Sequence, residues 1–221
     1  MFLRLPDLLS AEELTKVHDA IAGTQLFDGA ISGRSSLKKN LQSGQGNPGL
    51  ESITQGIIQA LMNRDDFKGY ALPKIITLVF NRYEPGMYYR NHMDAALMGG
   101  LHRQPLRSDL SFTLFLSQPA DYDGGELVMQ TQLGELRVKE PAGAAFIYPS
   151  NMIHRVETVN RGTRWAAVGW IQSMVRDHAR RDLLFELYNL RRELVAANPD
   201  SPQQERIDHI QENLIRMWAE V

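Results

Sequence analysis

No cysteine occurs among the 221 residues, and that absence closes several routes at once. A disulfide scaffold, a thiolate zinc site, an iron–sulfur cluster and a cysteine nucleophile are all excluded, so any metal must be held by nitrogen and oxygen donors. Net charge is almost as scarce. The formal value is −2, with none of the basic footprint that marks a nucleic-acid-binding domain. Long apolar runs are missing too: no window approaches the roughly 18 uninterrupted apolar residues of a membrane span. The opening Met1-Phe2-Leu3-Arg4-Leu5-Pro6-Asp7 lacks the apolar centre of a signal peptide. These absences predict a cytoplasmic enzyme or binding protein without a nucleic-acid or membrane partner.

What is present suits a globular chain. With 43% hydrophobic and 23% charged residues it can bury a real core, and its length fits one domain of roughly 100–200 residues plus additional structure. Ser10-Ala11-Glu12-Glu13 has the form of a helix-opening capping box, followed by Leu14, Val17 and Ile21 at helical spacing. Residues 24–48, rich in Gly, Ser and Asn, read as irregular. A second helix is predicted over about 50–63, with Ile53, Ile57, Ala60 and Leu61 as its apolar stripe.

From Pro73 the period changes. Ile75–Phe80 is a β-branched apolar run that ends at the turn-like Glu84-Pro85-Gly86. Short strand-like runs then recur at Leu110–Leu116, Glu126–Met129, Glu135–Val138, Ala144–Tyr148, His154–Val159 and Trp165–Ile171, with Gly-rich turn signals between them, Asn160-Arg161-Gly162 among these. Many short strands without intervening helices predict a sandwich or barrel of the double-sheet jelly-roll kind. After Arg176 helical spacing returns. Leu183, Leu187, Leu190 and Leu194, then Ile207, Ile210, Leu214 and Met217, predict a helical hairpin around Asn198-Pro199-Asp200-Ser201-Pro202. The expected fold is therefore mainly β with flanking helices (α+β). A jelly-roll unit with N-terminal helical support spans 1–175, and a C-terminal helical extension spans 176–221, the first suspect for a homodimer contact.

The chemistry concentrates in Asn81 to Asp94. On a strand, His92 and Asp94 project to one face, which alone is weak because an H-x-D triplet arises readily by chance. His154 strengthens it: two imidazoles and one carboxylate on one face of an octahedron leave three positions open, the arrangement of non-haem iron(II) oxygenases. Arg164 follows across a predicted hairpin turn, at the head of an otherwise apolar strand. A guanidinium pointing into a barrel needs a buried anion. Trp170, six positions on, shares its strand face and could wall the same pocket.

The run Tyr83-x-x-Gly86-x-x-Tyr89-x-x-His92-x-Asp94, the turn Gly124-Gly125-Glu126-Leu127, and His154 with Arg164 together resemble the iron(II)- and 2-oxoglutarate-dependent dioxygenases of the prolyl 4-hydroxylase type. Within these, the chain is most similar to bacterial PKHD-type hydroxylases, including a segment like Gln172-Ser173-Met174-Val175-Arg176-Asp177. The resemblance covers roughly residues 1–195 and implies a double-stranded β-helix core. It implies His92, Asp94 and His154 as iron ligands and catalytic centre, with Arg164 on the distal carboxylate of 2-oxoglutarate. Tyr83 would add a hydroxyl bond there, Thr113 is a looser candidate for that pocket, and Trp170 resembles a second-sphere aromatic. Implied partners are iron(II), 2-oxoglutarate, O2, L-ascorbate as reductant, and a substrate left open between a peptide and a small metabolite. The implied products are succinate, CO2 and a hydroxylated substrate.

Tyr88 and Tyr89 read as core filling or substrate-side lining. His18, His178 and His209 fall in predicted helices and read as surface residues. The segment 97–108, with His102, Arg103 and Arg107, reads as a loop that touches substrate. Two other readings compete. A jelly-roll module that binds metal without chemistry needs neither open metal positions nor an anion clamp, and cupin-like enzymes commonly use more histidine ligands.

Overall fold

The computed structural model describes every residue except 33–36, 45, 100–104, 200 and 221. In chain order the strands are β1 (Leu3–Leu5), β2 (Leu26–Asp28), β3 (Lys38–Lys39), β4 (Leu41–Ser43), β5 (Pro73–Tyr83), β6 (Tyr88–His92), β7 (Leu97–Met98) and β8 (Leu106–Arg107). They continue as β9 (Leu110–Phe115), β10 (Tyr122–Gly124), β11 (Leu127–Thr131), β12 (Gly134–Val138), β13 (Ala145–Pro149), β14 (His154–Val156), β15 (Val159–Gly162) and β16 (Arg164–Ser173). The helices are α1 (Ala11–Ala22), α2 (Glu51–Met62), α3 (Asp65–Ala71), α4 (His178–Ala197) and α5 (Pro202–Trp218).

Among the described residues, a seven-stranded sheet runs β1-β13-β9-β16-β5-β4-β2, and a five-stranded sheet runs β12-β11-β14-β6-β3. The pairings are antiparallel, and the two sheets form a jelly-roll core. The larger sheet buries both faces at its central strands, so β9, β13 and β16 have no exposed residue. Strand alternation divides its side chains between two environments. Leu78 and Phe80 of β5, Leu110, Phe112 and Leu114 of β9, Ile147 of β13 and Ala167 and Ile171 of β16 join one apolar core with Val17, Ile21, Ile57, Leu61, Phe67 and Phe185 of the helices. The alternate residues face inward: Asn81 and Tyr83, Thr113, Tyr148, and Arg164, Val168 and Trp170 line a cavity between the sheets.

Close approach decides one residue here. Gly169 is registered against Phe112, and a Cβ there would lie 2.2 Å from the Phe112 ring and 2.5 Å from the Thr77 carbonyl oxygen, so β16 packs against both only because it has no side chain at this point.

The helical support begins as the sequence predicts. The Ser10 hydroxyl accepts the Glu13 amide while the Glu13 carboxylate accepts the Ser10 N–H, completing the capping box. Other elements depart from expectation. Residues 24–48 hold β2, β3 and β4, strands of two or three residues too short for a readable period; β3 is held by the edge of β6, β4 by that of β5, and β2 by β4. Helix α3 was also unexpected; burial of Phe67, Tyr70 and Ala71 defines it. The predicted strand 154–159 divides: β14 ends at Val156, and residues 160–162, expected as a turn, continue from Val159 as β15 against β10.

The C-terminal hairpin forms, but α4 buries Arg181, Leu184 and Phe185 instead of the leucine stripe. Arg181 donates to the Val175 and Arg176 carbonyls, and Phe185 meets Tyr70 edge-on, so the helix is rotated away from the predicted face. Leu183 stays 57% and Leu190 45% exposed. Helices α4 and α5 are joined by the Arg191–Asp208 pair.

Gly169→Ala should overpack β16 and cost about 1–3 kcal/mol, and Phe112→Leu in the same chain should recover part of that loss. Thermal denaturation of the single and double variants checks this; strictly additive losses would show that the two positions do not share the space.

Candidate active site

The site is assembled where β6 and β14 lie side by side. His92 and His154 are registered partners across these strands, which brings their rings to 4.2 Å between centroids. Asp94 sits beyond the end of β6, so strand alternation does not set its direction; the irregular segment that follows His92 delivers its carboxylate. One carboxylate oxygen lies 4.0 Å from His92 Nε2 and the other 3.9 Å from His154 Nε2. The three side chains offer donor atoms all within 4.8 Å of one another, a spacing that suits one shared cation. They are also shielded, with side-chain exposures of 8% and 9% for His92 and Asp94.

Each donor is held from behind. The Arg90 carbonyl accepts from His92 Nδ1 at 2.8 Å, and the Met152 carbonyl accepts from His154 Nδ1 at 3.0 Å. Those bonds assign the proton to Nδ1 and leave both Nε2 lone pairs facing Asp94. Ser111 Oγ donates to Asp94 Oδ2 at 2.5 Å and is itself bonded to Ser150 Oγ at 2.7 Å. Tyr89 stacks on His92 with centroids 3.4 Å apart, and Tyr148 meets His154 edge-on at 5.0 Å. Burial, and then the neighbouring His154, lower the His92 pKa well below the usual imidazole range. A neutral ring is the form that ligates a metal.

Deeper in the cavity lies Arg164, 1% exposed, with Nε, Nη1 and Nη2 all buried and without a hydrogen-bond partner. Its guanidinium packs over the rings of Tyr83 and Phe115 at 5.2 and 5.7 Å. The Gly124-Gly125 turn makes room for its stem: Gly125 has φ +66°, and a Cβ there would lie 2.9 Å from Arg164 Cδ. Tyr83 and Thr113 line the same chamber, and burial pushes the Tyr83 phenol up to about 12, so it stays a hydrogen-bond donor at any physiological pH. Trp170 also lines the cavity, with a buried Nε1 that has no partner.

The whole cavity measures about 1140 Å³, above the roughly 300–1,000 Å³ common for small-molecule sites. Phe27, Lys38, Gln42, Met93, Leu97 and Met98 also line it. Lys38 is 9% exposed, donates to Gln42 Oε1 at 2.5 Å and sits 5.1 Å above the Tyr89 ring. Burial lowers its pKa to about 8, opposed by the charges of Asp94 and Asp28.

The predicted residues thus converge: His92, Asp94, His154, Arg164, Tyr83, Thr113 and Trp170 all line one cavity, and Tyr89 lines it too. Ser111, Ser150 and Lys38 were missed. Ser111, which alternates with Thr113 as the polar residues of a strand whose other residues are apolar, was a usable signal, whereas Lys38 lay in a segment without period. Arg107 does not turn to the cavity; it bonds Asp109, Glu220 and the Ser173 carbonyl. His102 and Arg103 lie outside the described residues. His18, expected at the surface, is half-buried and bonded to the Leu116 carbonyl at 2.8 Å.

The sequence model of the 2OG-Fe(II) oxygenase superfamily matches residues 78–172. A PKHD-type hydroxylase of Acaryochloris marina is 42% identical over the full length of both chains, and one of Hyphomonas neptunium is 39% identical, also over both full lengths. Among solved structures, a Pseudomonas putida prolyl-4-hydroxylase is similar with a TM-score of 0.54 at 22% identity, covering 78% of this chain and 92% of its own. HygX of Streptomyces hygroscopicus with nickel, 2-oxoglutarate and hygromycin B is similar with a TM-score of 0.55 at 11% identity, covering 78% and 82%.

Because His92 is held neutral in the folded state, the unfolded chain binds more protons in mildly acidic solution. Metal-free protein should therefore lose stability as pH falls from about 6.5 through the acid range. Calorimetric melting temperatures across that range should show a flatter slope for His92→Asn than for wild type; equal slopes would refute the depressed value.

Proposed function

This chain belongs to the PKHD-type hydroxylases of the 2OG-Fe(II) oxygenase superfamily, and from that premise we propose that His92, Asp94 and His154 hold its iron(II) while Arg164 holds its 2-oxoglutarate. The observation that carries the assignment is the buried, unpartnered guanidinium of Arg164. An uncompensated interior charge costs several kcal/mol, and a dicarboxylate reaching in from the metal site would cancel it. A guanidinium matches a carboxylate with two parallel bonds, and the nitrogen and oxygen donors ahead of it suit iron(II) with open positions.

When bound, iron(II) and 2-oxoglutarate supply the oxidation: one atom of O2 enters a substrate C–H bond, and the other leaves in succinate as CO2 is lost. The protein's residues position and protect. Ser111 and Ser150 fix the plane of the Asp94 carboxylate, and the Arg90 and Met152 carbonyls fix the two rings. Arg164 orients the co-substrate by its distal end, with the Tyr83 hydroxyl as a second donor and Thr113 beside it. Trp170 walls the chamber, and Leu127, Val156 and Val168 keep water from the reacting face.

The division at 175/176 is part of the same proposal: the jelly roll carries the chemistry and α4–α5 follow it. Exposed Leu183, Leu190, Ile210 and Met217 favour a homodimer through these helices. Sedimentation should find the dimer in wild type and a monomer in Leu183→Glu/Met217→Glu; a wild-type monomer removes this reading. Similar folds accept both a peptide and a small molecule: one similar structure is a prolyl hydroxylase holding a peptide fragment and another holds hygromycin B.

Adding iron(II) and 2-oxoglutarate without oxygen should produce a weak visible charge-transfer band. His92→Ala should abolish it, and Arg164→Ala should weaken 2-oxoglutarate binding by roughly tenfold or more with much less effect on iron. A wild-type protein without the band, or an Arg164→Ala variant losing both ligands equally, would overturn the assignments.

A further inference from the structure

Strand register places two of the three metal donors but not the third. His92 and His154 are partners across paired strands, whereas Asp94 lies past the end of β6 and depends on the chain that follows it. The next four residues are all tied to one partner segment. The Ala95 carbonyl accepts from Ser108 Oγ, and the Ala96 carbonyl accepts the Ser108 N–H at 3.0 Å. Leu97 and Met98 then pair with Arg107 and Leu106. Residues 106–108 are therefore the template on which 95–98 is laid, and Asp94 is only as firm as that template.

One side chain holds the template in turn. Arg107 Nε donates to Asp109 Oδ1 at 2.8 Å, Nη2 to the Ser173 carbonyl at 3.1 Å and Nη1 to Glu220 Oε2 at 2.6 Å. The Asp109 side chain is 7% exposed and also accepts the Ser173 N–H, so this pair is screened far less than a surface ion pair. The Asp109 carbonyl accepts the Ser150 N–H, and Ser150 stands behind Ser111 and Asp94. Two routes thus run from Arg107 to Asp94: one along the chain through Ser108, the other through Asp109, Ser150 and Ser111.

Glu220 reaches this knot from 113 positions away. Its N–H donates to the Met174 carbonyl at 2.7 Å, and its own carbonyl accepts from Lys74 Nζ at 3.2 Å. With the carboxylate on Arg107, all three polar groups of this residue, which follows α5, are bonded to the jelly roll.

We propose that Arg107 is a positioning residue for Asp94, and that the C-terminal helices, through Glu220, belong to the support of the metal centre. The inference rests on the assignment of iron(II) to His92, Asp94 and His154 given above. Helix α4 leaves the jelly roll and α5 returns Glu220 to it, so the backing of one metal ligand is completed by a segment distant in sequence. Groups behind a ligand orient it, and losing one typically costs roughly 10–100-fold in metal affinity.

Iron(II) is titrated without oxygen into protein saturated with 2-oxoglutarate, and 2-oxoglutarate into protein saturated with iron(II), each followed by the charge-transfer band. Amide hydrogen exchange over 94–98 is measured on the metal-free protein. Arg107→Met should weaken iron(II) binding by roughly tenfold, leave 2-oxoglutarate half-saturation near the wild-type value and speed exchange over 94–98. Arg107→Lys should recover part of the loss, since an ammonium can meet Asp109 without the fork that spans all three partners. Glu220→Gln should show a smaller loss in the same direction. Ile57→Val, which loosens the helical core away from this network, is the control for general destabilisation and should keep wild-type iron(II) affinity. If Arg107→Met does not fold, Ser108→Ala and Glu220→Gln decide by the same measurements. Wild-type affinity in Glu220→Gln alone would overturn the part assigned to the helices. A normal wild-type band with unchanged iron(II) affinity and unchanged exchange in Arg107→Met, or an equal loss in Ile57→Val, would overturn the proposal as a whole. Absence of the band in wild type would overturn the metal assignment itself and this inference with it.

Discussion

A guanidinium sealed between two β-sheets is the constraint around which this molecule is arranged. Arg164 is among the most buried large side chains in the chain, and all three of its nitrogens lack a partner. Leaving a cation in such surroundings costs several kcal/mol of folding free energy, so the protein holds this arrangement at the expense of stability. The cost is local and deliberate in form: Gly125 opens room for the stem, Tyr83 and Phe115 present ring faces to the charge, and a cation over an aromatic face recovers part of the lost solvation.

The rest of the fold supplies the dry chamber that makes this charge useful. The central strands β13, β9 and β16 of the seven-stranded sheet have no exposed residue. Helices α1–α4 cover one side through Val17, Ile57, Phe67 and Phe185, and the cavity lies on the other. Every second residue of β5, β9, β13 and β16 can therefore be specialised for chemistry while its neighbours hold the core. In β9 the sequence Leu110-Ser111-Phe112-Thr113-Leu114 performs both tasks, with the leucines and phenylalanine in the helical core, Ser111 on Asp94 and Thr113 in the cavity. The smaller sheet contributes the two histidines from adjacent strands, so their spacing is set by backbone hydrogen bonding. Rigid strands hold ligands more closely than loops do, which favours a pre-formed metal site.

Much of this was legible in the sequence because it depends on local patterns. The capping box at Ser10, the stripe of Ile57 and Leu61, and the run of short strands from Pro73 onward are properties of neighbouring residues. The ordered set of His92, Asp94, His154 and Arg164 was legible for a different reason: unusual residue types at turns and strand heads of an otherwise apolar stretch. The short strands β2–β4 were not, because two or three residues carry no period and exist only by pairing, β3 with β6, β4 with β5 and β2 with β4. The rotation of α4 was hidden as well. Its leucines form a regular stripe, yet Arg181 and Phe185 find better partners in Val175 and Tyr70, and tertiary packing overrides amphipathic spacing.

The amino-acid sequence by itself determined the chemistry: no thiol, two imidazoles, one carboxylate and one guanidinium in an order that matches a known family, since ligand type and local order are written in the residues themselves. Only the tertiary structure decided which polar groups share a space. Ser111 and Ser150, which are 39 positions apart, meet behind Asp94 because β9 and β13 are paired, and Lys38 reaches the cavity because β3 pairs with β6. Proximity across strands comes from sheet register, and register is set by the burial of a whole face, a collective property that no short stretch of sequence contains.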